Sequence, residues 1–120
     1  MLTVAANVVV FLVAALHVYI LILEMFLWDK PLGRKAFGLS SDFATQTKTL
    51  AANQGLYNGF LAAGLLWGLA LGQAGFSIKV FFLLCVFVAG IYGGLTANKK
   101  ILLIQAVPAV LGLVLLFLAS

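Results

Sequence analysis

Polar side chains that could do chemistry interrupt an otherwise apolar chain of 120 residues. His17 could take or give a proton near neutral pH. Glu24, when partly desolvated, could act as a base or stabilise a developing cation. Amides and tyrosines could orient the oxygen atoms of a ligand, or supply ring faces and hydroxyl donors. The candidate ligand-binding residues of this second kind are Asn53, Gln54, Tyr57, Asn58, Tyr92 and Gln105.

The spacing of His17 and Glu24 predicts that they share one face of a helix. At about 100° per residue, a step of seven residues returns a side chain to within roughly 20° of its starting direction. Trp28 falls on the same stripe. We therefore predict His17 and Glu24 as candidate catalytic residues and Trp28 as a further ligand-binding residue. One histidine beside one carboxylate falls short of the three or so protein ligands of a catalytic zinc, so no metal site is predicted and any cofactor stays unknown.

Structural roles compete with these chemical ones. Amides and tyrosines inside a membrane stabilise helix packing by about 0.6 kcal/mol on average through hydrogen bonds. A lone histidine such as His17 can be a core residue whose polar atoms are hydrogen-bonded within the protein. The Glu24 side chain could reach toward water or pair with a loop lysine. Function is favoured because several polar groups recur at related depths, where burying an aspartate, lysine or arginine costs about 2.5–3.5 kcal/mol.

The composition points to a membrane protein. Hydrophobic residues make up 65% of the chain, charged residues 8%, and the mean hydropathy is +1.23. Soluble domains carry roughly 25% charged residues, so this chain has too little polar surface to coat a soluble globule. The net charge of +4 does not indicate nucleic-acid binding, because the basic residues lie in short loops without interleaved aromatics. We expect one domain over residues 1–120 whose partner is the lipid bilayer.

Four apolar runs are each long enough to cross a bilayer, which takes about 20 residues as a helix. The predicted class is all-α, an integral membrane four-helix antiparallel bundle, because short connections force neighbouring helices to run in opposite directions. Pro108 is expected to kink the last helix, and a short interfacial helix could lie around residues 41–47. The predicted helices cover about 2–28, 48–72, 78–97 and 101–119, with a main loop at 29–47.

Basic residues predict the orientation of the bundle. Loops one and three carry Lys30, Arg34, Lys35, Lys48, Lys99 and Lys100, whereas the second carries Lys79 alone. The positive-inside rule places the basic loops in the cytoplasm and both termini outside a bacterial inner membrane. On this orientation the polar candidates occupy the cytoplasmic half and form a pocket.

Glycines at four-residue spacing are expected to pack helices tightly in the outer half. The glycines expected there are Gly64, Gly68 and Gly72 on helix two, and Gly90 and Gly94 on helix three offer the same spacing for close packing. Gly55 and Gly59 lie on the side of helix two away from the polar arc, and they are candidate contacts for another helix or for a second copy in a homo-oligomer.

Three motifs carry a family resemblance. They are KTLAANQGLYNGFLAAGLLWGL at residues 48–69, VAGIYGGLTANKK at 88–100 and QAVPA at 105–109. Together with the His17 and Glu24 stripe, they resemble a family of small bacterial four-helix membrane proteins catalogued only as a domain of unknown function. This resemblance covers essentially the whole chain and implies the membrane class but no activity.

A remote likeness links the chain to the membrane-associated enzymes that conjugate glutathione or form eicosanoids, which also have four helices, outside termini and an asparagine on the second helix. Those enzymes hold glutathione with several arginines. Arg34 is the only arginine here, and Tyr57 rather than a glutamate follows the asparagine. These departures argue against glutathione as the ligand.

Three functions fit the sequence. The first is a membrane protein whose cytoplasm-facing polar pocket binds, and could chemically transform, an amphiphilic or lipid-like small molecule. The second is a small homodimeric proton-coupled transporter that uses Glu24. The third is an accessory subunit whose glycine faces dock onto a larger membrane complex. Whether the chain is an enzyme stays open.

Overall fold

The computed structural model describes residues Met1–Ser120 and contains helices and turns but no strand. The prediction of an all-α protein is confirmed. A 3-10 turn at Gly72–Gly75 precedes the fourth helix, and a π-helical segment at Leu102–Ala106 leads into the fifth. The helices are α1 at Leu2–Met25, α2 at Pro31–Phe37, α3 at Ser41–Ala70, α4 at Phe76–Thr96 and α5 at Val107–Ala119.

Three helical segments are long and apolar enough to cross a membrane, judged by length and composition. They are Leu2–Met25, Gly72–Thr96 and Leu102–Ala119. The helix α3 has 30 residues, but the polar residues of its first half keep its mean hydropathy well below that of α1 and α4. A four-helix membrane bundle and the sidedness of its termini therefore stay predictions.

The helix α1 ends at Met25, three residues before the predicted end, so the placement of Trp28 on its stripe is wrong. The chain turns here, and the Lys30 N–H donates to the Leu27 carbonyl at 3.0 Å. Pro31 then occupies the first turn of α2, where its missing N–H costs nothing. Trp28 lies in the turn between the two helices.

The predicted loop at 29–47 contains α2 and the first two turns of α3, so helix two begins at Ser41 rather than at Lys48. The Ser40 hydroxyl accepts a hydrogen bond from the Phe43 N–H at 3.2 Å and caps the helix. Asp42 adds a negative charge to the first turn, which the helix dipole favours. Residues 41–47 are thus part of α3 and not a separate interfacial helix.

The chain forms two compact units, and both α1 and α3 contribute to each. One unit consists of Ala15–Phe60. In it the second half of α1 lies antiparallel to the first half of α3, because the close contacts pair Leu21 with Gly59 and Met25 with Gly55. The backbone of α2 passes so near the turn that a Cβ on Gly33 would overlap the Leu27 carbonyl.

The other unit consists of Met1–Ala14 and Leu61–Ser120. Its core is apolar and includes Val10, Leu65, Leu83 and Val86, all fully buried. Within it α4 and α5 are antiparallel, since Leu83 lies against Gly112 and Phe76 stacks edge-on against Phe117 at 5.4 Å. The expected close packing at Gly90 is present, with the Ala106 backbone nitrogen 2.7 Å from the position of a Cβ.

Pro108 coincides with an irregular segment. A proline has no N–H to donate and its ring crowds the carbonyl four residues earlier, here that of Ile104. The π-helical segment Leu102–Ala106 lies one turn before Pro108, and the Val107 N–H donates to the Leu102 carbonyl, five residues back. Such a widened turn is a recognised way for a helix to accommodate a disturbance of its hydrogen bonds.

Candidate functional site

A hydrogen bond between two of the predicted residues forms the centre of the candidate site. The side-chain amide of Asn58 on α3 donates to the Glu24 carboxylate on α1, with Nδ2 and Oε1 2.6 Å apart. The same amide nitrogen lies 3.3 Å from the Gln54 carbonyl on its own helix. Both side chains are half-buried, so the pair lies where the helix contact meets the surface.

Two glycines allow this contact. A Cβ on Gly55 would lie 2.6 Å from Met25 Cγ and 3.1 Å from Glu24 Cβ, and one on Gly59 would lie 2.6 Å from Leu21 Cδ1. The backbone of α3 therefore approaches α1 more closely than any larger residue would permit. Gly55 and Gly59 were predicted as contacts for another helix or another copy, and within this unit the helix that they contact is α1.

The polar surface of α3 beside this contact is exposed. Asn53 and Gln54 are exposed, and 53% of Tyr57 is exposed, its ring lying 5.9 Å from that of Phe60. Of the predicted polar arc, only Asn58 turns toward α1 within the unit. The expectation that the whole arc faces inward is wrong for the single chain, because the glycine face packs instead. Whether these residues bind a ligand stays a prediction.

The turn after α1 is fastened to α3 by polar and aromatic contacts. The Trp28 Nε1–H donates to the Thr47 hydroxyl at 3.0 Å, and the Trp28 ring lies 4.9 Å from that of Phe37. These contacts give Trp28 a packing role, and its predicted part in ligand binding remains untested.

An ion pair lies at the same turn. The Lys48 ammonium is 3.1 Å from an Asp29 carboxylate oxygen. The hydrogen bond from Lys48 is the main cause that holds the pKa of Asp29 below its usual range. Lys48 thus pairs with Asp29 and not with Glu24, for which a loop lysine was one possible partner.

The remaining predicted residues lie elsewhere. His17 is fully buried in the Ala15–Phe60 unit, so a ligand would not reach it without movement of its neighbours. Tyr92, 71% exposed, and Gln105, half-buried beside Gly90, belong to the other unit. Their membership in one site with Glu24 stays a prediction.

One polar pair in the structure, Lys79 and Asn7, was not predicted from the sequence. Lys79, counted as a loop charge, lies inside α4 with 5% of its surface exposed, and its ammonium donates to the Asn7 side-chain oxygen at 3.1 Å. The signal was available, because Lys79 continues the buried stripe of α4 at helical spacing. The other buried residues of that stripe are Leu83, Val86, Gly90 and Gly94.

The structure contains no cluster of three or more histidine, cysteine, aspartate or glutamate side chains that could hold a metal ion. The arrangement can instead bind and orient polar groups. The Glu24 carboxylate keeps acceptor capacity beyond its bond to Asn58, and the exposed amides of Asn53 and Gln54 offer both donors and acceptors.

Comparisons with known proteins agree with the resemblance drawn from the motifs. A family model described as "Protein of unknown function (DUF1304)" matches residues 11–117. An uncharacterized protein of Lactococcus lactis, named YpaA, is 33% identical over 105 residues, which cover 86% of this chain and 88% of that protein. No solved structure shows a significant match.

Proposed function

Since the chain belongs to the family of proteins of unknown function described as DUF1304, we propose a role for it from its own residues: a multi-pass membrane protein that binds the polar head of an amphiphilic small molecule at Glu24 and Asn58. The family name supplies no activity. The proposal therefore rests on burial, charge and hydrogen bonding within the Ala15–Phe60 unit.

Membrane insertion is supported by length and by charge. Three segments have the length and hydropathy of membrane spans. The 30 residues of α3 would extend about 45 Å at 1.5 Å per residue, which exceeds the hydrocarbon core of about 30 Å and leaves room for its polar first turns outside. With Lys79 inside α4, the connection between α3 and α4 carries no basic residue, which strengthens the predicted cytoplasmic placement of the other two.

The contact between Glu24 and Asn58 carries the proposal. A carboxylate held at 2.6 Å by a neutral amide keeps its charge uncompensated by that partner. Beside it, the exposed Asn53, Gln54 and Tyr57 would face hydrocarbon if nothing polar covered them, which is unfavourable in a membrane. An amphiphile satisfies both surfaces at once, because its polar head meets the amides and the carboxylate while its tail lies along apolar helix surface.

The chemistry of the residues narrows the head group. Acceptor capacity on Glu24 suits a hydroxyl or a cationic group, and the amides suit oxygen atoms. A hydroxylated or amine-bearing head therefore fits better than a purely anionic one. Proton transfer to a bound ligand would also use Glu24, with His17 reached only after a local opening.

Purification of the protein in mild detergent tests the proposal. An amphiphile is expected in the organic extract of the wild type, identified by mass spectrometry, and is expected to be lost in Glu24→Gln and Asn58→Leu. The matched control is Asp42→Asn, which neutralises an exposed acid in the first turn of α3. Equal amounts in all four proteins would refute the proposal. A pH-dependent flux in proteoliposomes that Glu24→Gln abolishes would favour the transporter instead.

A second candidate, the oligomeric or accessory role, is favoured by the same exposed polar surface. Another helix could cover Asn53, Gln54 and Tyr57 in place of a ligand. Chemical cross-linking in native membranes distinguishes the two readings. A bridge formed through Asn53→Cys in a Cys85→Ser background would indicate a second copy, and a constant companion protein would indicate an accessory subunit.

A further inference from the structure

A cavity of about 350 Å³ lies within the unit formed by Met1–Ala14 and Leu61–Ser120. The start of α1, the start of α4 and the end of α5 line it. Its apolar walls include Phe76 and Leu116, and its polar residues are Thr3, Asn7, Gln73, Lys79 and Ser120.

No acidic side chain belongs to this unit, and Lys79 forms no ion pair. The three acidic residues of the chain, Glu24, Asp29 and Asp42, all lie in the Ala15–Phe60 unit. Only 5% of the surface of Lys79 is exposed. Its ammonium donates one hydrogen bond, to the side-chain oxygen of the neutral Asn7 at 3.1 Å. A buried charge paired only with a dipole is expensive, so the folded unit favours an anion beside it.

The dipole of α4 adds to the positive electrostatic potential around Lys79. Lys79 is the fourth residue of α4, close to the end that bears the partial positive charge of the helix dipole. The first turn of α4 holds no acidic residue that would offset it. An ammonium group has three N–H donors, and the Asn7 oxygen accepts one of them.

We propose that this cavity binds a phosphate-type anion, held by the Lys79 ammonium with help from Thr3 and Gln73. The volume is at the small end of ligand pockets, about 300–1,000 Å³, and suits a head group rather than a whole lipid. Phe76 and Leu116 give the site apolar walls, so a phospholipid whose chains continue along the helices fits better than free phosphate. The residues of this cavity belong to a different unit from Glu24, and the inference does not depend on the function proposed for Glu24.

Native mass spectrometry of the detergent-purified protein tests the inference with three probes. They are phosphatidylglycerol, a neutral diglucosyl diacylglycerol without phosphate, and inorganic phosphate. Lys79→Met removes the charge and keeps much of the side-chain volume. Lys99→Met is the matched control, because Lys99 is exposed. Asn7→Asp supplies an internal carboxylate to Lys79, which preserves the fold while replacing the external anion.

The wild type and Lys99→Met are expected to bind phosphatidylglycerol more tightly than the neutral glycolipid. Lys79→Met and Asn7→Asp are expected to weaken that binding by about 30-fold or more, as for the loss of one buried charged partner. Competition by inorganic phosphate, lost in the same variants, would identify a free anion as a second source. Binding of phosphatidylglycerol by Asn7→Asp at the wild-type level, or no preference of the wild type for phosphate, would overturn the inference, even if Lys79→Met fails to fold.

Discussion

The Glu24 carboxylate and the Asn58 side-chain amide are 34 residues apart in the chain and 2.6 Å apart in space. When the carboxylate is ionised, such a hydrogen bond is stronger than one between two neutral groups. The bond fixes the only acidic side chain of α1 against α3. This hydrogen bond can therefore stabilise the unit and also position a ligand. Variants of Glu24 and Asn58 distinguish these two roles when stability and ligand binding are measured separately.

Replacing Asn58 by leucine is expected to lower the free energy of unfolding by about 1–3 kcal/mol, because it leaves the half-buried Glu24 oxygen without this donor. Unfolding in mixed detergent micelles measures it. Asn53→Leu is the control, since Asn53 is exposed and its replacement should change stability by less than about 0.5 kcal/mol. Equal losses in both variants would mean that the bond contributes nothing specific.

Gly33→Ala is expected to destabilise the Ala15–Phe60 unit severely, because the added Cβ overlaps the Leu27 carbonyl and a backbone atom cannot swing aside. Gly38→Ala is the comparison. Gly38 has φ +65° and open space around it, so alanine there should cost about 1–3 kcal/mol through backbone strain alone. Thermal unfolding should rank Gly33→Ala well below Gly38→Ala, and the reverse order would show that α2 does not lie against the turn.

The ion pair of Asp29 and Lys48 predicts a dependence of stability on pH. In the folded protein the pKa of Asp29 lies below its usual value of 3.8. The ion pair therefore stabilises the fold at every pH above about 3.8, and this contribution disappears as the pH falls through the lowered pKa. The stability difference between the wild type and Lys48→Met should be constant near neutral pH and vanish in acid. Lys35→Met, at an exposed site, should show no such change. A difference that persists after Asp29 is protonated would assign it to something other than this pair.

The proposed orientation predicts which positions a membrane-impermeant maleimide can reach. In a Cys85→Ser background, Ala74→Cys should be labelled in right-side-out vesicles, and Ala36→Cys only after the vesicles are opened; both positions are exposed. Labelling of Ala36→Cys in sealed vesicles would reverse the orientation.

The sequence was sufficient to select both partners of the central contact. Glu24 and Asn58 stand out because ionisable and amide groups are costly within apolar helices, and the structure brings them together. It was not sufficient to orient α3. Polarity suggested that Asn53, Gln54 and Tyr57 face inward, but the small size of Gly55 and Gly59 decides which face lies against α1.

Two further features, the helix α2 and the burial of Lys79, were not predicted from the sequence, for different physical reasons. The helix α2 has only seven residues, too few for a periodic pattern, although Pro31 at its start and Gly38 after its end are typical boundary signals. Lys79 was counted as a charge of the second loop when the basic residues of the loops were compared. Its helical spacing with Leu83 and Val86 indicates burial, but its hydrogen bond to Asn7, 72 residues earlier, could not be predicted from the local sequence.

The central claim is that Glu24 and Asn58 position a polar head, and an experimental structure in a native lipid environment tests it most directly. We expect elongated density beside α3 whose polar end lies within hydrogen-bonding distance of Glu24 or Asn58, with its tail along apolar helix surface. Density should be absent from a structure of Glu24→Gln and retained in Asp42→Asn. A site in the wild type covered by a second copy of the chain, or occupied only by water, would contradict the account.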